Sequence, residues 1–288
     1  MKGFLRWLRV GLLVLLGLVV MAAGVLYVLS ERVVRRTYQE PLVDLVVPTD
    51  SQSIAEGQRL ATIRGCSGGC HGERIEGGVF IDEPLLAKLV APDLSAAART
   101  YTNGELARII RRGVRPDGRS VLGMPSEMFS PLTDGDLGRI IAYLRSVPPQ
   151  HGPGREVRLG PLARLGLVAG QYSPAAEAVR EADRIAERYP GPGDSTAPGA
   201  YLARTACTEC HGLELRGGET TPPDLRIVAG YSLEAFTTLL RTGTPAGDRE
   251  LTLMKQVARK RFSHFTDAEI GALYSFLSAR AATQDAVN

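Results

Sequence analysis

Cys207-Thr208-Glu209-Cys210-His211 is a Cys-x-x-Cys-His stretch, and Cys66-Ser67-Gly68-Gly69-Cys70-His71 is the same stretch with one more residue between the cysteines. The Cys-x-x-Cys-His pattern is typical of covalent c-type haem attachment. The two thiols form thioether bonds to the two vinyl groups of the haem, and the adjacent histidine then lies under the iron and ligates it. The order of the residues therefore follows from the shape of the porphyrin.

These two stretches predict two covalently bound haem c groups in the chain. The expected iron ligands next to the thiols are His71 and His211. The expected thioether residues are Cys66, Cys70, Cys207 and Cys210. In the longer stretch, glycine reaches positive φ at little cost. We therefore expect the Gly68-Gly69 loop to bulge while both of its thioethers still form.

Zinc is the alternative ligand for paired cysteines, because two Cys-x-x-Cys pairs can make a Cys₄ site. Each pair here is followed by His-Gly, and each lies in a repeat that has its own methionine. Zinc sites need neither feature. A thioredoxin-like dithiol is disfavoured as well, since no βαβ pattern surrounds either pair.

The two cysteine motifs belong to an internal duplication within 288 residues. His71 corresponds to His211, and Pro92 corresponds to Pro223. The histidine and the proline are farther apart in the first copy than in the second. The first copy therefore carries an insertion, which we place at 79–91.

The matched segments show the period and the caps of α-helices, and no strand-like alternation of useful length is evident. Thr102 and Ser232 can each cap a helix that ends at a glycine, Gly113 or Gly243. The predicted helices are 54–63, 102–113 and one from Thr133 in the first copy, and 198–205, 232–243 and one from Thr266 in the second. The predicted fold class is therefore all-α.

The sixth iron ligand is expected to be methionine, a soft thioether that raises the reduction potential. Three methionines lie outside the N-terminal region, and the register of the duplication pairs Met124 with Met254. Each is expected in a loop before the final helix of its copy. Packing is the alternative role. Met128 and His264 remain alternative ligands, whereas His151 is expected at the surface.

A haem-ligating histidine also needs a partner for its second ring nitrogen. Pro92 and Pro223 each open a loop that returns toward the haem, so their carbonyl groups are candidates for this role. The alternative is that both are ordinary turn prolines.

The N-terminus reads as a membrane segment. Residues 10–30 carry no charge and are long enough to cross a bilayer as a helix. Lys2, Arg6 and Arg9 before them favour a cytoplasmic N-terminus, but Arg32, Arg35 and Arg36 follow them, so the charges alone do not decide the orientation. Because thioether-linked haem is assembled outside the cytoplasmic membrane, we expect the rest of the chain in the periplasm of a bacterium. A cleaved signal peptide is the alternative, but the apolar run is longer than the usual apolar region of a signal peptide.

The net positive charge of the chain comes from its N-terminal part. Residues 1–49 contain six Lys or Arg and three Asp or Glu, which accounts for the whole net charge of +3. This excludes a strongly basic face over all of the remaining chain, and nothing suggests nucleic-acid binding. A local group of arginines is expected to be solvated: Arg108, Arg111, Arg112, Arg115 and Arg119.

The predicted organisation has five parts. A membrane anchor (1–30) and a tether (31–50) precede the first repeat (51–147), and a linker (148–197) leads to the second repeat (198–282). The linker closes with Pro190-Gly191-Pro192-Gly193. A charged helix is expected at 174–188, in an ordered linker that lies over both repeats.

In its motifs, methionine segments and closing helices, the chain resembles the bacterial class I cytochromes c, in a membrane-anchored dihaem form. The resemblance covers about 52–147 and 198–280. It implies two all-helical domains with one haem each, with the axial pairs His71–Met124 and His211–Met254. By the same resemblance Gly57 and Gly199 pack against the last helices, which carry the aromatic residues Tyr143 and Phe276. In the second repeat Lys-Gln-Val follows the methionine, where the first repeat has Pro-Ser-Glu.

Three functions are compatible with this pattern. The first is single-electron transfer between a membrane donor and a redox protein acceptor, such as a quinol-oxidising complex, a dehydrogenase or a terminal oxidase. The second is an enzyme, a dihaem peroxidase or a dehydrogenase with one open iron. The third, compatible with the first, is a subunit of a larger redox complex. Electron transfer is the expected function, and no catalytic residue is predicted.

Overall fold

The fold consists mostly of helices, which confirms the predicted class in its main features. The computed structural model describes residues 2–188, 197–217, 222–247 and 249–285. The predicted Pro-Gly end of the linker lies outside these residues. Helix α1, Lys2–Val34, is the helix in the described chain that is long and apolar enough to cross a membrane.

Five helices form the first repeat: α2 (Ser51–Ile63), α3 (Leu94–Thr100), α4 (Asn103–Arg112), α5 (Ser126–Phe129) and α6 (Asp134–Ser146). The predicted caps are present. Thr102 and Glu105 form a capping box at the start of α4, and Gly113 ends that helix with φ +63. The core of this repeat contains the buried stripe of α6, including Leu137, Ile140 and Ile141.

The second repeat follows a similar plan. Its helices are α9 (Pro198–Leu202), α10 (Thr208–His211), α11 (Leu233–Thr242), α12 (Thr252–Lys260) and α13 (Asp267–Asp285). A π-helical turn, Ala203–Cys207, joins α9 to α10, and a 3₁₀ turn, Leu225–Gly230, precedes α11.

In both repeats the first helix crosses the last helix at a glycine, which confirms that prediction. A Cβ on Gly57 would lie 1.9 Å from the backbone oxygen of Arg139 on α6. A Cβ on Gly199 would lie 2.1 Å from the backbone oxygen of Ala272 on α13. Only a residue without a side chain allows the two helix backbones to approach this closely.

The expectation of no strands was wrong for the inserted segment of the first repeat. Strands β1 (Gly78–Glu83) and β2 (Ala87–Ala91) form an antiparallel hairpin, and β3 (Glu156–Leu159) pairs with β2. Each strand has four to six residues, too few for alternation to be evident in the sequence. The third strand comes from the linker, so the linker forms part of this sheet.

The tether and the linker pack onto the first repeat. Leu45 belongs to the core of that repeat, and Tyr38 is buried with Ala176 of the linker. Helices α7 (Pro161–Val168) and α8 (Ala175–Arg188) form most of the described linker, which confirms the helix predicted at 174–188. Helix α8 packs against α4 and α5 of the first repeat.

Four of the five arginines that were expected to be solvated have side-chain partners instead, so the prediction was wrong for Arg108, Arg111, Arg112 and Arg115. Arg119 is exposed, as expected. Arg112 makes ion pairs with Glu40 of the tether and with Asp183 of α8. Arg108 donates a hydrogen bond to the backbone oxygen of Glu40. The physical reason is that the acidic residues of two distant segments lie over this face of α4, which sequence spacing does not show.

Candidate haem sites

A cavity of about 810 Å³ lies in the first repeat, within the size range of cofactor pockets. The motif residues Cys66, Cys70 and His71 line it, and so does Met124. Apolar side chains from the helices and from the sheet complete the wall, among them Leu94, Leu106, Phe129, Leu89 and Val157.

The His71 ring is oriented by a backbone carbonyl group. Its Nδ1 lies 2.9 Å from the Pro92 oxygen. Since a carbonyl oxygen only accepts hydrogen bonds, Nδ1 carries the proton and Nε2 keeps its lone pair. Burial lowers the pKa of His71, with the Pro92 carbonyl acting in the opposite direction. The ring is therefore a neutral imidazole whose free nitrogen can bind a metal.

The lengthened loop of the first motif turns on its glycines. Gly68 has φ +68, and its N–H donates to the Gly72 oxygen at 2.9 Å. A Cβ on Gly69 would lie 2.4 Å from the Gly65 oxygen, so the loop folds back closely on the end of α2. The extra residue is thus taken up locally, as the sequence predicted.

The second motif continues directly from the π-helical turn. Cys207 is buried, whereas Cys210 is exposed. The His211 Nδ1 lies 2.8 Å from the Pro223 oxygen, the same arrangement as in the first repeat. Burial lowers the pKa of His211, and the Pro223 carbonyl opposes this change.

The buried thiols are held protonated. Burial raises the pKa of Cys66 to about 11, although the Arg64 charge opposes this. Burial also raises the pKa of Cys207 to about 12, against the charge of Arg261. The four cysteines are free in the structure, so no disulfide competes for them.

The candidate sixth ligands lie in different surroundings in the structure. Met124 is partly buried and lines the cavity, whereas Met128 is 1% exposed within the core of the first repeat. Met254 packs against the core of the second repeat. Met254 lies in α12, so the prediction that it lies in a loop was wrong. No proline follows it, whereas Pro125 follows Met124. His264 and His151 are exposed.

The family model for cytochrome c matches residues 54–148 and again residues 196–280. The chain belongs to the cytochrome c family. Covalent haem c is therefore its cofactor class. The cavity, the two thiols and the free histidine nitrogen fit that group.

Two curated proteins are similar to this cytochrome c. The fructose dehydrogenase cytochrome subunit of Gluconobacter japonicus is 23% identical over 256 residues, which cover 78% of this chain and 52% of that protein. The cytochrome c subunit of the quinone-type alcohol dehydrogenase of Gluconobacter oxydans is 29% identical over 89 residues, 30% of this chain and 19% of that protein. The cytochrome c thus spans about half the length of the first relative.

The two cytochrome c repeats meet at their attachment motifs. Glu209, Cys210 and Arg261 of the second repeat lie in the wall of the first cavity. Arg261 is buried; its Nε donates to the Ile63 oxygen at 3.0 Å, and its Nη1 donates to Glu209 at 2.8 Å. A Cβ on Gly65 would lie 3.0 Å from the Arg261 guanidinium carbon. A single guanidinium group therefore lies between the two attachment motifs.

Further contacts fix this junction. Arg59 of α2 binds the Glu269 carboxylate through both Nη atoms, at 2.7 and 2.9 Å. Tyr201 of α9 donates to Asp136 of α6 at 2.6 Å. Ile63 of the first repeat is fully buried in the core of the second. Sequence reasoning missed this junction because its residues contact each other over separations of 65 to 210 positions.

Proposed function

We propose that the protein is a membrane-anchored dihaem cytochrome c that transfers single electrons between redox partners. The observation that carries this proposal is the meeting of the two attachment motifs at Arg261. Two haem sites built in this way would exchange electrons within one chain. The limits 51–147 and 198–282 for the two domains remain predictions.

Each haem would be held by residues of one repeat. In the first, Cys66 and Cys70 would carry the thioethers, and His71 and Met124 would ligate the iron. In the second, the corresponding residues would be Cys207, Cys210, His211 and Met254. Bound haem supplies a one-electron couple at its iron. The carbonyl groups of Pro92 and Pro223 keep the histidine rings neutral and in a fixed orientation, so that little rearrangement accompanies electron transfer.

Arg261 would also set the electrostatics of both sites. Burial raises the pKa of all four cysteine thiols, and the charge of Arg261 opposes this rise at each of them. At Cys70 and Cys210 the charge of Glu209 adds to the rise. A positive charge at this place favours the reduced iron, which carries one positive charge fewer. Arg261 should therefore raise the potentials of both haems, and its ion-pair partner Glu209 should lower them.

Membrane attachment rests on the N-terminal helix. Helix α1 has 33 residues, and its apolar 18-residue window has a mean hydropathy of 2.8 and is not buried in the fold. Three basic residues flank the span on each side, so its orientation rests on the place of haem assembly. We place the two repeats in the periplasm, at the bacterial cytoplasmic membrane, where thioether-linked haem is assembled.

The redox partner is proposed to be a dehydrogenase. Both similar proteins carry dehydrogenase in their names, one as a fructose dehydrogenase cytochrome subunit and one as an alcohol dehydrogenase cytochrome c subunit. The protein would then accept electrons from such a partner and pass them to an acceptor in or at the membrane. Copurification of the native protein in mild detergent tests this assignment; isolation of a lone chain speaks against a permanent complex.

Ferric-state spectroscopy of the full-length protein tests the electron-carrier function. Two methionine-ligated haems predict low-spin iron at both sites and a sulfur-to-iron charge-transfer band. A high-spin haem that binds cyanide or peroxide rapidly would instead favour a dihaem enzyme with an open iron. The Met124→Ala variant separates the two, because an iron that is already open would not change.

A further inference from the structure

An apolar surface surrounds the place where α1 meets the globular part of the protein. It consists of α7 and of the turn between β1 and β2, residues 84–86; we call it the apolar foot. We propose that the apolar foot lies in the headgroup region of the bilayer, as a second membrane contact beside the anchor. This inference rests on the membrane anchoring in the proposed function and extends it.

The side chain of Arg164 ties α7 to the end of the anchor. Its Nη1 donates to the Ser30 hydroxyl at 2.8 Å, and its Nη2 forms an ion pair with Glu31 at 3.0 Å. The guanidinium group also lies over the Tyr27 ring, 4.3 Å from its centroid. Arg164 is the charged residue of α7, and it is turned toward α1 rather than toward water.

The anchor indicates the depth at which these contacts lie. Trp7 and Tyr27 are 20 residues apart in one continuous helix, which corresponds to about 30 Å, the thickness of the hydrocarbon core. Tryptophan and tyrosine favour the two interfaces of a membrane. With Trp7 at the cytoplasmic interface, Tyr27 lies at the periplasmic one, and α7 packs beside it.

The outer face of the foot is apolar. Leu162 and Leu165 of α7 are 55% and 53% exposed, and Leu85 of the turn is 65% exposed. Val168 and Leu86 continue the same surface. Large side chains of this kind grouped beside a membrane anchor favour burial in the bilayer interface over contact with water.

Two hydrogen bonds make the helix and the turn one surface. The Leu162 N–H donates to the Leu85 oxygen at 3.0 Å, and the Gly160 N–H donates to the Leu86 oxygen at 2.8 Å. The hairpin that carries this turn also supplies Leu89 and Val90 to the wall of the first cavity. Membrane contact at the foot would therefore fix the orientation of the first haem site relative to the bilayer.

Lipid is the occupant that these observations favour. The foot adjoins the anchor at interface depth, so the bilayer is already present there when α1 is inserted. A protein partner would have to displace that lipid. Contact with lipid and contact with a protein partner predict different results when the purified chain is placed in a bilayer without any partner.

Photolabelling of the full-length holoprotein tests the proposal. The protein is placed in nanodiscs of phosphatidylcholine and phosphatidylglycerol that contain a phospholipid with a diazirine near the top of its acyl chain. Illumination followed by peptide mass spectrometry should show lipid adducts on α1, on α7 and on the turn. The double variant Leu162→Ser/Leu165→Ser should lose most of the α7 adducts. Val46→Ser is the matched control, since Val46 is 84% exposed in the tether, and it should leave the adducts unchanged.

Each result separates this inference from the proposed function. Adducts on α1 alone would overturn the apolar foot and leave the anchor intact. Absence of adducts on α1 would overturn the anchoring and the foot together, without bearing on the haem spectra. Equal labelling of α7 and of the tether around Val46 would show unspecific access of the probe and would also overturn the proposal.

Discussion

Replacement of Gly57 by alanine should destabilise the first repeat, although alanine is the better helix former. The gain in helix propensity is about 1 kcal/mol. The contact with α6 outweighs this gain. A Cβ on residue 57 would lie 1.9 Å from the Arg139 oxygen, whereas ordinary contacts begin at 3.4 Å. The two helices would have to separate by the difference between these two distances, which is far more than a side-chain adjustment can absorb.

Such a separation loosens the packing of Leu60 against the α6 stripe, where Leu137 and Ile141 are fully buried. A gap of about 0.5–1 Å already loses about a quarter to a half of a dispersion contact. Overpacking of a core costs about 3 kcal/mol at the upper end of the usual range. The net loss in the free energy of unfolding is then about 2 kcal/mol, or about 10 °C in melting temperature for a domain of this size.

Thermal unfolding of the full-length holoprotein, followed through its haem absorption, measures this effect. Gly271→Ala on α13 is the matched control, because a Cβ there meets no atom within 4 Å. It should leave the protein unchanged or slightly more stable. If Gly57→Ala stabilises the protein as much as the control does, the close crossing of α2 and α6 is refuted.

Three further predictions concern the sites and their junction. Met124→Ala should remove about half of the sulfur-to-iron band and lower one of two potentials in a redox titration, since Met254 would still serve the other haem; an unchanged band would exclude Met124 as a ligand. Gly69→Ala should prevent the first attachment loop from closing, because its Cβ would lie 2.4 Å from the Gly65 oxygen; the mass spectrum should then show chains with a single haem, and a full complement of haem would contradict this. Burial raises the pKa of Glu269, but the Arg59 hydrogen bond and Thr266 bring it below its ordinary value of 4.5. The ion pair therefore stabilises the fold above pH 4.5 and is lost as the pH falls through the lowered pKa. The difference in denaturant midpoint between wild type and Glu269→Gln should be constant near neutral pH and shrink in acid; a difference that persists in acid would argue against the ion pair.

Local signals in the sequence predicted the helical part of the fold well. The cap residue Thr102 located the start of α4, and Gly113 located its end. These features act within one turn of helix, so neighbouring residues contain the information. The glycines at the helix crossings could be predicted because the resemblance to class I cytochromes c implied a place for them.

Long-range contacts account for most of what sequence reasoning missed. Strand β3 pairs with β2 although helices α3 to α6 lie between them in the chain, so neither strand shows its partner in the sequence. The burial of Arg261 could not be predicted from the sequence either, because the acceptor of its hydrogen bond, the Ile63 oxygen, lies 198 positions away. The methionine of the second repeat was placed in a loop by analogy with the first. Without a proline after it, the segment continues as α12.

The mass of the intact full-length protein under denaturing conditions is the most direct test of the central claim, because thioether-bound haem stays on an unfolded chain. Two attachment motifs, one of them lengthened by a glycine bulge, predict a mass equal to the polypeptide plus two haem groups. A mass that shows one haem or none in a correctly matured sample would contradict the account.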